Sequence, residues 1–115
     1  MKITQKTINN FTVIYLEGEI NNLLDVELFK KTMDKLLEEG KYFLAINFDN
    51  ASTLSSEYIS IIMSTHIALK KLNGDLVLIG SEPTINNTLS IVGIPMIMSV
   101  YFDENSFEQE YFKNI

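Results

Sequence analysis

Short apolar runs alternating with segments of helical period are the feature of this chain that most restricts its fold. Phe11 to Leu16, Tyr42 to Phe48, Leu76 to Ile79 and Ile97 to Phe102 read as strands. Three helical segments lie between them. The first follows the capping residues Asn21 and Asn22, places Val26, Phe29, Met33, Leu36 and Leu37 at helical spacing, and stops at Gly40. The second runs from Ser55 or Ser56 to Leu72 and closes at Asn73-Gly74. The third opens near Pro83, carries Ile85, Leu89 and Val92, and is broken by Gly93 and Pro95. Strands joined through helices must run parallel, with right-handed crossovers.

Two further elements flank this series. Lys2 to Ile8 alternates weakly and meets Phe11 to Leu16 through the turn Asn9-Asn10, which predicts an antiparallel edge hairpin ended by Gly18. Ser106 to Phe112, with Phe107 and Tyr111 four apart, predicts a short terminal helix. The expected fold is α/β, in the order β-β-α-β-α-β-α-β-α. It has a mostly parallel sheet of about five strands, an antiparallel edge strand and four helices. The loop expected between the second inner strand and its helix is Asp49 to Thr53. With no repeat, linker or low-complexity tract, residues 1–115 read as one domain.

Composition narrows the function. Nine basic residues against fifteen acidic ones give a net charge of -6, with no basic run to follow a phosphate backbone, so nucleic acid is set aside. No apolar stretch approaches the roughly 18–20 residues of a membrane span, and Met1 to Lys6 has no signal-peptide block. Without cysteine there are no disulfides or thiolate metal sites. A cytoplasmic protein that needs no cofactor is the expectation.

Catalytic patterns are scarce. The only histidine, His66, lies ten residues beyond Ser56 on one expected helix, about 15 Å away, so the two cannot form a nucleophile–base pair. His66 is expected on a helix face. One histidine and scattered carboxylates make no metal site. Asp103-Glu104 and Glu108 to Glu110 are expected to be a solvated cap and helix face.

The helix from Ser56 carries more apolar residues than one stripe needs. Tyr58, Ile61, Ile62, Leu69 and Leu72 suffice to face the sheet, which leaves Ile59, Met63, His66 and Ile67 on a second side. That surplus is either covered by neighbouring helices or a contact surface. A contact surface there would equally serve a homodimer.

The residues around this helix resemble a bacterial STAS domain of the anti-sigma factor antagonist type. Leu16-Glu17-Gly18-Glu19-Ile20-Asn21 is similar to the family's leucine-x-glycine-glutamate-leucine-aspartate segment, and Ala45-Ile46-Asn47-Phe48 to its central strand. Leu72-Asn73-Gly74-Asp75-Leu76-Val77, Pro83 and Gly93-Ile94 match later landmarks, with no gap from Gly18 to Met98. In such proteins a partner that is both kinase and anti-sigma factor phosphorylates a serine at the start of the second helix, and the unphosphorylated form binds that partner. The family pattern apolar-Asp-Ser-Ser/Thr-Gly-Leu-Gly falls on Leu54-Ser55-Ser56-Glu57-Tyr58-Ile59-Ser60, which puts the phosphate acceptor on Ser56. Ser55 replaces Asp, Tyr58 and Ser60 replace glycines, and Asn21 replaces the loop aspartate.

The resemblance implies docking to an anti-sigma factor/serine kinase, and together with the surplus apolar side of the helix it gives Asn21, Asn22, Ser55, Ser56, Glu57, Tyr58, Ile59 and Met63 as the candidate contact residues. Ser55 is expected to cap the helix as well as Asp would. Glu57 opposes a phosphate on Ser56 by like-charge repulsion, although a helix N-terminus favours anions. Plain N-capping by Ser55-Ser56 and a phosphoswitch at Ser56 both fit. The altered motif also fits a diverged STAS domain without the switch, serving as a scaffold subunit or small-ligand binder.

Overall fold

The computed structural model describes residues 1–18 and 23–113. A two-residue turn joins β1 (Lys2–Ile8) to β2 (Phe11–Gly18) as an antiparallel hairpin with Ile8 opposite Phe11. Asn9 turns the chain with a φ of 53°, a left-handed conformation that asparagine tolerates. Then follow α1 (Leu23–Glu38), β3 (Phe43–Ala51), α2 (Ser56–Lys71), β4 (Asp75–Ile79), α3 (Pro83–Ile91), a 3-10 turn (Ile94–Met96), β5 (Val100–Tyr101) and α4 (Glu104–Tyr111). The sheet order is β1-β2-β3-β4-β5, and every pairing after the hairpin is parallel.

This is the expected α/β arrangement. Because the strand order follows the chain order, three successive right-handed crossovers place α1, α2 and α3 on one face of the sheet. Ile14, Leu16, Leu44, Ile46, Leu76 and Leu78 point into that layer, where they meet Phe29 and Met33 of α1 and Ile62 and Leu69 of α2. The alternate residues Val13, Ala45, Val77 and Ile79 point to the other face, under Phe107 of α4. Both faces of the inner strands are therefore buried, as a parallel sheet requires.

Local chemistry sets the helix ends. Lys41 N–H reaches Leu36 O at 2.9 Å behind Gly40, whose φ is 79°. α3 starts at Pro83, and the Glu82 carboxylate accepts from Ile85 N at 2.9 Å. Asp103 does the same for α4, accepting from Ser106 N at 2.8 Å, so this helix begins two residues earlier than the apolar pattern indicated.

Three details depart from the sequence reading. β3 continues through Asp49 to Ala51 rather than giving way to a loop, because a register shift between Tyr15 and Glu17 lets Glu17 and Gly18 pair with Asn50 and Ala51. β5 keeps only Val100–Tyr101 of the apolar run from Ile97, since the 3-10 turn consumes the approach to it. Leu72 lies past the end of α2 and is exposed, so it does not help to face the sheet.

Aromatic packing holds α4 in place. The Phe107 ring, fully buried, meets Phe11 edge-on at 5.0 Å, and Tyr111 donates to Asp75 Oδ2 at 2.8 Å. Phe107→Ala is expected to cost about 3–5 kcal/mol. Urea unfolding of the two proteins measures it, and a loss below about 1 kcal/mol would show that α4 adds little to the core.

Candidate protein-docking site

In a parallel sheet the carboxyl ends of the strands share one edge, and the helices that follow begin there. α1 after β2 and α2 after β3 thus start side by side. Phe29 of α1 stacks on Tyr58 of α2 with ring centroids 4.8 Å apart and planes 25° from parallel.

Ser55 holds the N-cap position of α2 with extended backbone angles, φ -80° and ψ 165°. Its carbonyl accepts from Ile59 N at 3.2 Å, but its hydroxyl makes no cap bond. The oxygen itself is buried. The expected equivalence of Ser55 with a capping Asp is therefore absent, because its hydroxyl does not bond the free N–H groups of the first turn.

Ser56 is the opposite case. It is exposed, and its Oγ donates to Glu57 Oε2 at 3.5 Å. Glu57 is exposed as well, and a hydrogen bond from its own backbone N–H holds its carboxyl below the ordinary glutamate range. An accessible hydroxyl beside a fixed negative charge thus stands on the first turn of α2.

Tyr58 offers a partner nothing. It is 0% exposed and shares the inward stripe with Ile62, Thr65 and Leu69. Its hydroxyl donates to Met1 Sδ at 3.2 Å. Its placement among the contact residues is corrected by the helical period, which turns position 58 toward α1. Burial, reinforced by the nearby Asp25 carboxylate, raises its pKa above the ordinary tyrosine value.

Ile59 and Met63 are half-buried and pack against the core cluster, so each presents only an edge. His66 is 7% exposed and lies next to Thr65 on the buried side, with Nδ1 unpartnered. Of the four residues expected on a second side, only Ile67 is exposed. Asn21 and Asn22 lie outside the described residues.

Sequence reasoning missed the start of α1. Leu23, Leu24 and Leu28 are exposed there, Leu24 by 76%. The signal was present, because Leu23 to Phe29 holds more large apolar side chains than the stripe of Val26, Phe29 and Met33 uses.

A second polar feature flanks this corner on the α4 side of the sheet. A cleft of about 390 Å³ opens at the ends of β2 and β3, lined in part by Tyr15, Asn47, Asp49, Asp103 and Glu104. Its acidic groups are tied within the fold. Glu104 accepts from Tyr15 and pairs with Lys6 at 3.1 Å, Asp49 accepts from Ser81 N at 2.8 Å, and Asp103 caps α4. Among the described residues, no three His, Asp or Glu side chains are grouped to hold a metal ion, and no helix is long and apolar enough to cross a membrane.

The profile of one family, the STAS domain, matches residues 2–107. The chain belongs to the STAS domain family. Solved structures share its fold at low identity. TM1081 of Thermotoga maritima, described as an anti-sigma factor antagonist, is 17% identical over 94% of this chain and 92% of its own, with a TM-score of 0.85. The anti-sigma factor antagonist SpoIIAA in its unphosphorylated form is 16% identical over 99% of this chain and 100% of its own, with a TM-score of 0.77. The phosphorylated form of SpoIIAA from Bacillus is 18% identical over 94% and 98%, with a TM-score of 0.73. No curated protein matches this sequence.

Within this STAS domain, Tyr58 makes a testable difference. Tyr58→Ala is expected to lose about 3–5 kcal/mol by opening the space between α1 and α2, whereas Tyr58→Phe loses about 1 kcal/mol or less. The phenol is kept neutral in the fold but ionises freely once unfolded, so its contribution is complete below pH about 10 and declines as pH rises further. Chemical denaturation at pH 7 to 11 should show Tyr58→Phe with the shallower alkaline decline. Equal slopes for the two proteins would mean that burial does not hold the proton.

Proposed function

We propose that this chain is a cytoplasmic regulatory module that works by docking to a protein rather than by catalysis. It acts as one domain over residues 1–115, in the manner of an anti-sigma factor antagonist. The partner is an anti-sigma factor/serine kinase, and Ser56 is the hydroxyl whose phosphorylation releases it. The observation that carries this reading is the exposure of Ser56 on the first turn of α2 while Ser55 Oγ and Tyr58 are withdrawn from solvent. The occurrence of SpoIIAA in phosphorylated and unphosphorylated forms supports it.

The proposed contact surface joins Ser56 and Glu57 to the exposed edges of Ile59 and Met63 and the exposed leucines of α1, with Asn21 and Asn22 preceding that helix in the sequence. Apolar side chains flanking a polar switch suit such docking, since the leucines supply buried area and the switch supplies like-charge repulsion once modified. A phosphate on Ser56 would add about -1.5 to -2 charges beside Glu57.

That same carboxylate, 3.5 Å from the Ser56 hydroxyl, favours a second reading in which Glu57 stands permanently where the phosphate would be and the switch is lost. The chain would then serve as a constitutive scaffold subunit or bind a small ligand at this corner.

Intact mass after expression in the native host separates the two readings. A fraction heavier by one phosphate that vanishes in Ser56→Ala supports the switch, and its absence under all growth conditions rejects it. For the surface, Leu24→Asp with Leu28→Asp should abolish capture of a kinase-type partner while leaving the thermal transition within a few degrees of wild type. Unchanged capture would move the docking face elsewhere.

A further inference from the structure

Glu57 is exposed on the first turn of α2, directly beside Ser56, whose hydroxyl donates to its carboxylate at 3.5 Å. A hydrogen bond from its own backbone N–H holds that carboxyl below the ordinary glutamate range, so it is anionic at neutral pH. Among the described residues it has no ion-pair partner. The sequence explains why. No lysine or arginine occurs from Thr7 to Phe29 or from Tyr42 to Leu69, the segments that supply β2, β3 and the first turns of α1 and α2. They contain instead Glu17, Glu19, Asp25, Glu27, Asp49 and Glu57. The Met1 amino group is already held by Asp25 at 3.4 Å.

We propose that Glu57 is a specificity-determining residue: it pairs with a lysine or arginine of the docked partner, and by occupying that cation it leaves a phosphate on Ser56 uncompensated. This role rests on the docking of a kinase-type partner at Ser56. A surface that covers Ser56 also takes water from the carboxylate beside it, and a charge buried without a counter-ion strongly opposes binding. The segments that build this corner have no lysine or arginine to offer, so the partner must bring one. The family pattern has serine or threonine at this position. A partner fitted to an uncharged residue would bury Glu57 unpaired, which excludes it. The pairing also gives phosphorylation its sign. A lone phosphate facing a lysine or arginine would be attracted and would tighten the complex. With Glu57 already on that cation, the further charge of about -1.5 to -2 on a phosphate meets no counter-charge, and the partner is released.

One negative charge at this corner therefore favours binding, whereas none or two oppose it. The probe is the kinase-type protein that the wild-type chain captures from its native host, identified by mass spectrometry and purified. Titration calorimetry without ATP compares wild type with Ser56→Asp, an anionic stand-in for the phosphate, with Glu57→Gln, and with the double variant, in which the charge moves from position 57 to 56. Each single variant is expected to bind at least about tenfold more weakly than wild type, and the double variant more tightly than either. Both side chains are exposed, and a thermal transition confirms that each variant folds. A Glu57→Gln variant that binds as well as wild type or better overturns the proposal. So does a double variant no tighter than the better-binding single one. Those results leave docking at Ser56 standing. If wild type captures no kinase-type protein, or Ser56→Asp binds as wild type does, docking at Ser56 itself fails, and the role of Glu57 with it.

Discussion

Parallel hydrogen bonding of β2 to β3, in register from Thr12 opposite Leu44 to Tyr15 opposite Asn47, is the constraint on which the rest of this structure depends. Two parallel neighbours cannot be joined by a tight turn, so α1 has to cross over the sheet between them. The same requirement repeats for β4 and β5, and its handedness puts three helices on one face. That leaves the other face of the inner strands uncovered. α4 resolves this by carrying Phe107 across to Phe11 and locking Tyr111 onto Asp75, while Lys70 reaches the same carboxylate at 3.2 Å from the end of α2. The hairpin closes the far side with the one antiparallel pairing.

Parallel strands also bring the starts of α1 and α2 together, and there the packing has a local consequence. A tyrosine at position 58 fills the space between the two helices, stacked on Phe29, in a place where the family pattern has a glycine. The close approach that glycine permits is exchanged for buried aromatic area, which ties α2 to α1 at the turn presenting Ser56. Ser55 illustrates the other side of the change. A carboxylate in that position could reach the free backbone N–H groups of the first turn, whereas the serine hydroxyl makes no such bond. The start of α2 is held by aromatic packing rather than by a side-chain cap.

Charge is divided unevenly over this framework. Carboxylates gather at the carboxyl edge of the sheet, in Asp49, Asp103, Glu104 and Glu57, and most are tied into internal hydrogen bonds. The segment from α3 to β5 has no charges at all.

Much of this fold was legible in the chain itself. The alternation of apolar runs with helical periods, punctuated by Asn9-Asn10, Gly40, Asn73-Gly74, Pro83 and Gly93, implied each element and its order, because those signals act over a few residues. The motif from Leu54 to Ser60 likewise located the helix start and Ser56. What periodicity could not supply was which side of α2 looks outward. It turned Tyr58 inward, against the contact role that the resemblance implied, but it left open whether the side carrying His66 was covered, and both residues are buried, because the closeness of α1 to α2 follows from two crossovers packing side by side. It also extended β5 too far and cut β3 short, since strand length depends on the register of a neighbour distant in sequence. Local sequence determined what each segment could become. Only the tertiary structure decided which apolar residues remained uncovered, Leu24 and Met96 among them, because exposure depends on what other parts of the chain come to lie against them.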